Sequence, residues 1–351
     1  MSRLAGQWSS LWPVLAFLLA GVPLAALLDR LGFFDSVAVL LLGRGQRRRS
    51  VFSLWVLAAL TTAVLNLDTT IVLLTPLYVR IARHSESDAL ALAAIPLFLA
   101  SFASSALPIS NLTTLIVVQR FDVDTFAVIS HLGLPTLAAS LVGWLMYRRR
   151  HPTTLNAVVQ QAPDRRALVI GGAVVGGVLV GFVLGPYFGI AAWVVALAAD
   201  VILMLVVGAV PWREVPVTTA LLVTAIAAAV TVIVPEGALN APLHHSDAAS
   251  VGLLAIAAGA LANAVNNLPA LLIGTDSVTS MNWGMWAWLL GVNVAAVLVP
   301  MGALANLLWL RIMRAEGMRI GVRRYMGITI PVALPAVAAA IVVLVAERIA
   351  Q

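Results

Sequence analysis

Apolar runs close to the length of a bilayer crossing recur along this chain of 351 residues, at 11–28, 89–107, 167–184, 190–210, 217–234 and 327–346. A helix rises about 1.5 Å per residue, so roughly twenty residues cover the hydrocarbon core of a membrane. Runs of this length, repeated, leave no polar face for water. Composition agrees: 62% of residues are hydrophobic and 10% charged, against about a quarter charged in a soluble domain. The chain is therefore expected to be an all-α polytopic membrane protein and not a water-soluble enzyme. The first run ends in Asp29-Arg30 and not at a small-residue cleavage site, so it reads as a span rather than a secretory signal.

Two stretches are interrupted. The run from Val51 meets Asn66-Leu67-Asp68-Thr69-Thr70 before resuming at Ile71, and the run from Val251 meets Asn266-Asn267-Leu268-Pro269 before resuming at Ala270. Each arm looks too short or too polar to span alone. Each pair is expected to form a re-entrant hairpin with its polar tip near mid-membrane, tolerable only inside protein or beside a water-filled cavity. Two later runs meet proline, at Pro108-Ile109-Ser110-Asn111 and Pro300-Met301-Gly302-Ala303. Proline lacks the amide donor and clashes with the preceding turn, so these are expected helix breaks.

The four features repeat. Residues 50–66 align with 250–266, matching Leu54 with Leu254 and Ala58 with Ala258, and Pro108 pairs with Pro300. A hairpin and a broken helix in each half point to a transporter site between inverted structural repeats. The expected first repeat covers 1–150, with a span at 11–30, hairpin 51–80, broken helix 89–120 and span 127–147. A cytoplasmic linker follows at 151–166. The second, inverted repeat covers 167–351, with spans 167–185, 188–210 and 216–234, hairpin 248–275, broken helix 283–310 and span 326–346. The first repeat thus lacks two N-terminal spans that the second has, through natural shortening or a late start.

All 21 basic residues are arginine, and the net charge is +6. If the first span ends in the cytoplasm, every arginine except Arg3, Arg120 and Arg348 falls on the cytoplasmic side, in short loops. The second hairpin then enters from outside, after the arginine-free stretch 235–247. The expected location is the cell (inner or plasma) membrane, multi-pass, with cytoplasmic arginine-rich loops. Charge placed this way argues against nucleic acid as a partner; the lipid bilayer is the partner instead.

The sharpest candidate residue is Asp68. A carboxylate at membrane depth costs about 2.5–3.5 kcal/mol on insertion scales and usually marks an ion or proton path. Its plainer reading is a cap on the helix that starts at Thr69. Asn66, Thr69, Ser110, Asn111, Thr113, Asn266, Asn267, Gly302 and Asn306 complete the expected substrate and ion site, because half-helix N-termini and unwound carbonyls bind ions. The plainer reading of the asparagines is that they stitch unwound backbone together. Asp200, inside a span, is either a second proton-coupling group or a buried interface carboxylate. The adjacent His244-His245 lie in an outer loop without cysteine, so no metal site is expected. No cofactor fingerprint or nucleotide loop is present, so the chain alone is no ATP-driven pump.

These motifs resemble a family. The stretch 31–34, the tip 66–70 with Leu74-Thr75-Pro76, the break Ser110-Asn111-Leu112, the tip 266–270 with Ile273-Gly274, and Pro300–Ala305 with 307–310 are similar, in order, to arsenite permeases of the ion-transporter superfamily. The resemblance implies an inverted-repeat fold with scaffold and transport domains. It implies proton-coupled efflux of arsenite or antimonite, with a soluble ATPase as an optional partner and a homodimer as an admissible assembly. The alternative within the same superfamily is a sodium/proton antiporter or a sodium-coupled carrier of dicarboxylate or citrate type. No arginine lies near either tip, which favours a neutral or cationic cargo over an anion.

Overall fold

Where water does not compete, an apolar segment satisfies its backbone by coiling on itself, and the chain is mostly helical. The computed structural model describes residues 2–42, 45–64, 66–159, 162–235 and 237–351. The first half runs α1 (Ser2–Arg30), α2 (Phe33–Leu42), α3 (Val51–Val64), α4 (Leu67–His84), α5 (Ala89–Phe102), a 3-10 turn at Pro108–Ser110, α6 (Leu112–Phe121) and α7 (Thr125–Arg148). Next come α8 (Arg165–Leu184), α9 (Ala192–Val207), α10 (Val217–Ile233), α11 (Asn240–His244), α12 (Ala248–Val265) and α13 (Asn267–Thr275). The chain ends with α14 (Trp283–Val294), 3-10 turns at Ala295–Leu298 and Pro300–Gly302, α15 (Leu304–Ala315) and α16 (Val322–Ala350).

Four of the fifteen acids sit at helix starts. Asp88, Asp124, Asp164 and Asp247 cap α5, α7, α8 and α12, each accepting from amides of the first turn. Among the described residues, α7, α12 and α16 are each long and apolar enough to cross a membrane; α1 and α2, bent by 66°, make a fourth if counted together. The 18 residues of α12 span about 27 Å, which corrects the reading of its hairpin arm as too short. The reason is the cap: Asp247 accepts from Ser250 N and starts the helix ahead of the apolar run.

A second difference lies in the loops. Residues 45–50 form β1 and 154–159 form β2, an antiparallel ribbon pairing Gly45 with Val159 and Ser50 with Thr154. Within the segment 151–166, expected as a cytoplasmic linker, residues 154–159 are thus strand. Pairing over a hundred residues apart leaves no local periodicity to read.

Packing crosses the two halves reciprocally. Helix α4 packs on α15, α6 on α13, and α7 on α16, while α12 lies along α14. Gly291 permits that last approach, since a Cβ there would collide with the Ala255 carbonyl. Tyr147, Tyr325 and Trp309 each bury one polar ring atom, and each finds a carbonyl. Tyr147 Oη donates to Ala91 O at 3.1 Å, Tyr325 Oη to Val297 O at 3.0 Å, and Trp309 Nε1 to Ala93 O at 2.7 Å. Unpaired, any of these would cost free energy in so apolar a setting.

Candidate functional site

Four helices begin at one place. Leu67 and Asp68 of α4, Leu112 and Thr113 of α6, Asn267 and Leu268 of α13, and Leu304 of α15 line a single cleft together with Asn111. Each helix start carries roughly half a positive charge and free amide donors. Converging starts therefore make a concentrated donor site. The cleft is small, about 20 Å³, room for one or two waters.

At the first tip Asn66, not Asp68, caps α4: its Oδ1 accepts from Thr69 N at 2.7 Å. Thr70 Oγ1 donates to Asn66 O at 3.0 Å and lies 2.9 Å from Thr62 Oγ1, tying the arms together. Asp68 is left in the first turn with no protein hydrogen bond or ion pair among the described residues, its carboxylate on the cleft. Thr69 is buried, and its hydroxyl has no partner.

At the second tip Asn266 takes φ 85° and ψ 148°, outside the left-handed helical well and close to a region that only glycine adopts without strain. Its Oδ1 accepts from Leu268 N at 3.4 Å and its Nδ2 donates to Met301 O at 3.0 Å, which ties this tip to the second break. Asn267 lines the cleft, and its side chain makes no hydrogen bond among the described residues.

The two breaks are built differently. At the first, Asn111 caps α6 through Thr113 N at 3.1 Å and donates Nδ2 to Ser104 Oγ at 3.1 Å, while Ser110 Oγ donates into the carbonyls of Ser104 and Leu107. At the second, Asn306 Nδ2 donates to Ala296 O at 2.8 Å and Val299 O at 3.0 Å. Gly302 sits so close to the Ala296 carbonyl that a Cβ would collide with it. No side chain caps α15. Pro108 and Pro300 open the respective 3-10 turns.

Thus Asp68, Asn111, Thr113 and Asn267 meet at the cleft. Asn66, Ser110, Asn266, Gly302 and Asn306 hold the backbone around it. Asp200 does neither; it is buried on α9, a helix packed against α1 and α8, with Oδ1 unpartnered. Sequence reasoning missed two residues. Asn293 on α14 lies 2.5 Å from Thr113 Oγ1 and donates to Thr114 Oγ1 at 3.2 Å. Asn263 on α12 donates to Gly259 O and Ala295 O and accepts from Val299 N, each at 2.8 Å. Both are lone amides inside apolar runs, a signal as costly as the tip residues and readable in the same way.

A family model described as citrate transporter (CitMHS) matches residues 7–296. The arsenical pump membrane protein of Yersinia enterocolitica is 25% identical over 374 residues, covering 93% of this chain and 85% of that protein. The protein of the same name from Escherichia coli strain K12 is 24% identical over 364 residues, with the same coverage. The resemblance read from the tip and break motifs is borne out by these relatives. The crystal structure of the YdaH transporter of Alcanivorax borkumensis matches at 16% identity and a TM-score of 0.46, covering 98% of this chain and 86% of that one.

Proposed function

The chain belongs to the citrate-transporter family CitMHS, a family of membrane transporters and not of enzymes, and from that premise we propose a secondary transporter that exports arsenite or antimonite in exchange for protons. The observation that carries this reading is the cleft. It offers amide and hydroxyl groups from Asn111, Thr113 and Asn267, one carboxylate from Asp68, and no arginine. A neutral trihydroxide needs hydrogen-bond partners and no fixed countercharge. Asp68, unpartnered, is free to carry the coupling proton. The relatives named as arsenical pump proteins support the same cargo.

In this reading the two halves are inverted repeats, the tips at 66–70 and 266–269 are re-entrant, and the arginine-rich loops face the cytoplasm from the plasma membrane. The reciprocal packing of α4 on α15 and α6 on α13 supports it. Asp200 serves as a second proton-coupling group away from the cleft. A soluble ATPase partner and a homodimer are part of the same proposal.

A second reading, sodium-coupled citrate or dicarboxylate transport, is favoured by the family model and by the four positive helix ends. Asp68 opposes it, since a carboxylate repels an anionic cargo. Everted vesicles decide between them. Exchange of a neutral cargo for one proton moves charge, and 100 mV corresponds to about 2.3 kcal/mol per charge, roughly fiftyfold accumulation. Arsenite uptake should therefore persist when the pH gradient is collapsed and the potential kept. No arsenite or antimonite uptake under any gradient, with sodium-dependent citrate uptake instead, establishes the second reading.

A further inference from the structure

Away from the helix-start cleft, a larger one of about 480 Å³ opens between the end of α1, the loop after α9 and the end of α15. Three carboxylates line it, and each is already matched. Arg80 holds Asp29 at 2.7 Å, Arg30 holds Glu214 at 2.7 Å, and Arg83 holds Glu316 at 2.9 Å. Three further guanidiniums on the wall, Arg213, Arg311 and Arg314, have no carboxylate within ion-pair distance among the described residues. The cleft therefore carries an uncompensated positive excess in a concave setting.

One of these arginines is fixed in place. Arg311 Nε donates to Glu214 O at 3.0 Å, and Nη2 donates to Arg213 O at 3.0 Å and Val215 O at 3.1 Å. That leaves Nη1 without a protein acceptor. A guanidinium held by three carbonyls has lost its side-chain freedom before any ligand arrives, so binding costs less ordering. Ala26, Pro76 and Ile312 add apolar lining to the same cleft. Guanidinium forks match the oxygens of phosphate two at a time, and an excess of positive charge suits a group bearing one or two negative charges.

We propose that this cleft binds a phosphate-class oxyanion, presented either by an anionic phospholipid headgroup or by free phosphate. The site stands apart from the transport cleft and does not depend on the cargo. The test uses the full chain purified in non-ionic detergent, titrated with inorganic phosphate by calorimetry at low salt. In parallel, native mass spectrometry reads lipid retained from nanodiscs of phosphatidylglycerol or of phosphatidylcholine. The variant combines Arg213→Gln with Arg314→Gln; neither side chain hydrogen-bonds among the described residues, so its thermal unfolding should match the parent.

Binding should weaken about tenfold per guanidinium removed, and Arg314→Lys should restore part of it. Retention of phosphatidylglycerol alone assigns the headgroup as the source, and binding of inorganic phosphate in lipid-free detergent assigns free phosphate. If neither ligand binds, or if the double variant binds both as the parent does, the proposal is overturned.

Discussion

Thr113 at the start of α6 and Asn293 in α14, 180 positions apart in the chain, meet at 2.5 Å between Thr113 Oγ1 and Asn293 Oδ1. Thr113 Oγ1 is also 2.7 Å from Asn111 Oδ1, and its single proton serves one acceptor at a time. The Asn293 amide reaches Thr114 as well. One buried amide thus joins the first broken helix to the second half of the molecule, two and three residues past the cleft-lining Asn111.

Asn293→Leu keeps the branched shape and strips the polar atoms. Thr114 Oγ1 then loses its donor and Thr113 Oγ1 one of its two acceptors, at a cost of about 1–3 kcal/mol. Thermal unfolding in detergent should show the loss, and transport should fall with it. Unchanged stability and transport would mean that the amide only fills space.

Asp68→Asn should leave folding and insertion intact, because Asp68 has no protein partner to lose. Proton-coupled transport should vanish, and the response to a pH gradient with it. A variant that transports at the parental rate with the parental pH profile would sink the coupling role.

Asn267→Ala and Asn306→Ala should separate cargo contact from backbone support. Asn267 lines the cleft, and its side chain makes no hydrogen bond among the described residues, so its loss should raise the apparent KM at nearly unchanged stability. Asn306 holds the carbonyls of Ala296 and Val299, so its loss should cost about 1–3 kcal/mol of stability. The reverse pattern in paired transport and unfolding assays contradicts these assignments.

Glu316, just past α15, is held by Arg83 and faces Arg80. Burial pushes its carboxyl above the ordinary glutamate range, against the pull of the two arginines. A carboxyl raised in the folded state contributes stability that is full below its unfolded value, about 4.3, and is lost as pH rises through the folded value. Glu316→Gln should therefore flatten the decline in stability above about pH 4.3. Unfolding midpoints that fall with pH equally in both proteins would show that Glu316 does not set the slope.

Much was legible in the chain because a membrane penalises error. Asp68, Asn111 and Asn267 stand out in apolar runs where every polar atom is costly, and all three line the cleft. The same rule would have found Asn263 and Asn293, but Asn263 sits three residues ahead of the more conspicuous Asn266-Asn267 tip, and Asn293 in mid-run with no polar neighbour to mark a break. Proline itself was an incomplete guide. Pro108 and Pro300 open 3-10 turns, whereas Pro331 and Pro335 lie inside the unbroken α16.

The sequence by itself determined the membrane class, the helical segments and the polar character of both tips, since hydrophobicity and backbone satisfaction act locally. Which asparagines face the cleft and which grip the backbone was decided by tertiary structure. Asn266 and Asn306 are spent on the carbonyls of Met301, Ala296 and Val299, while Asn267 is left over. Asp200 is as costly to bury as Asp68, yet it lies on a helix that packs away from the cleft. A side chain's composition states its desolvation cost; only the packing of distant helices states which partner, or which open space, meets it.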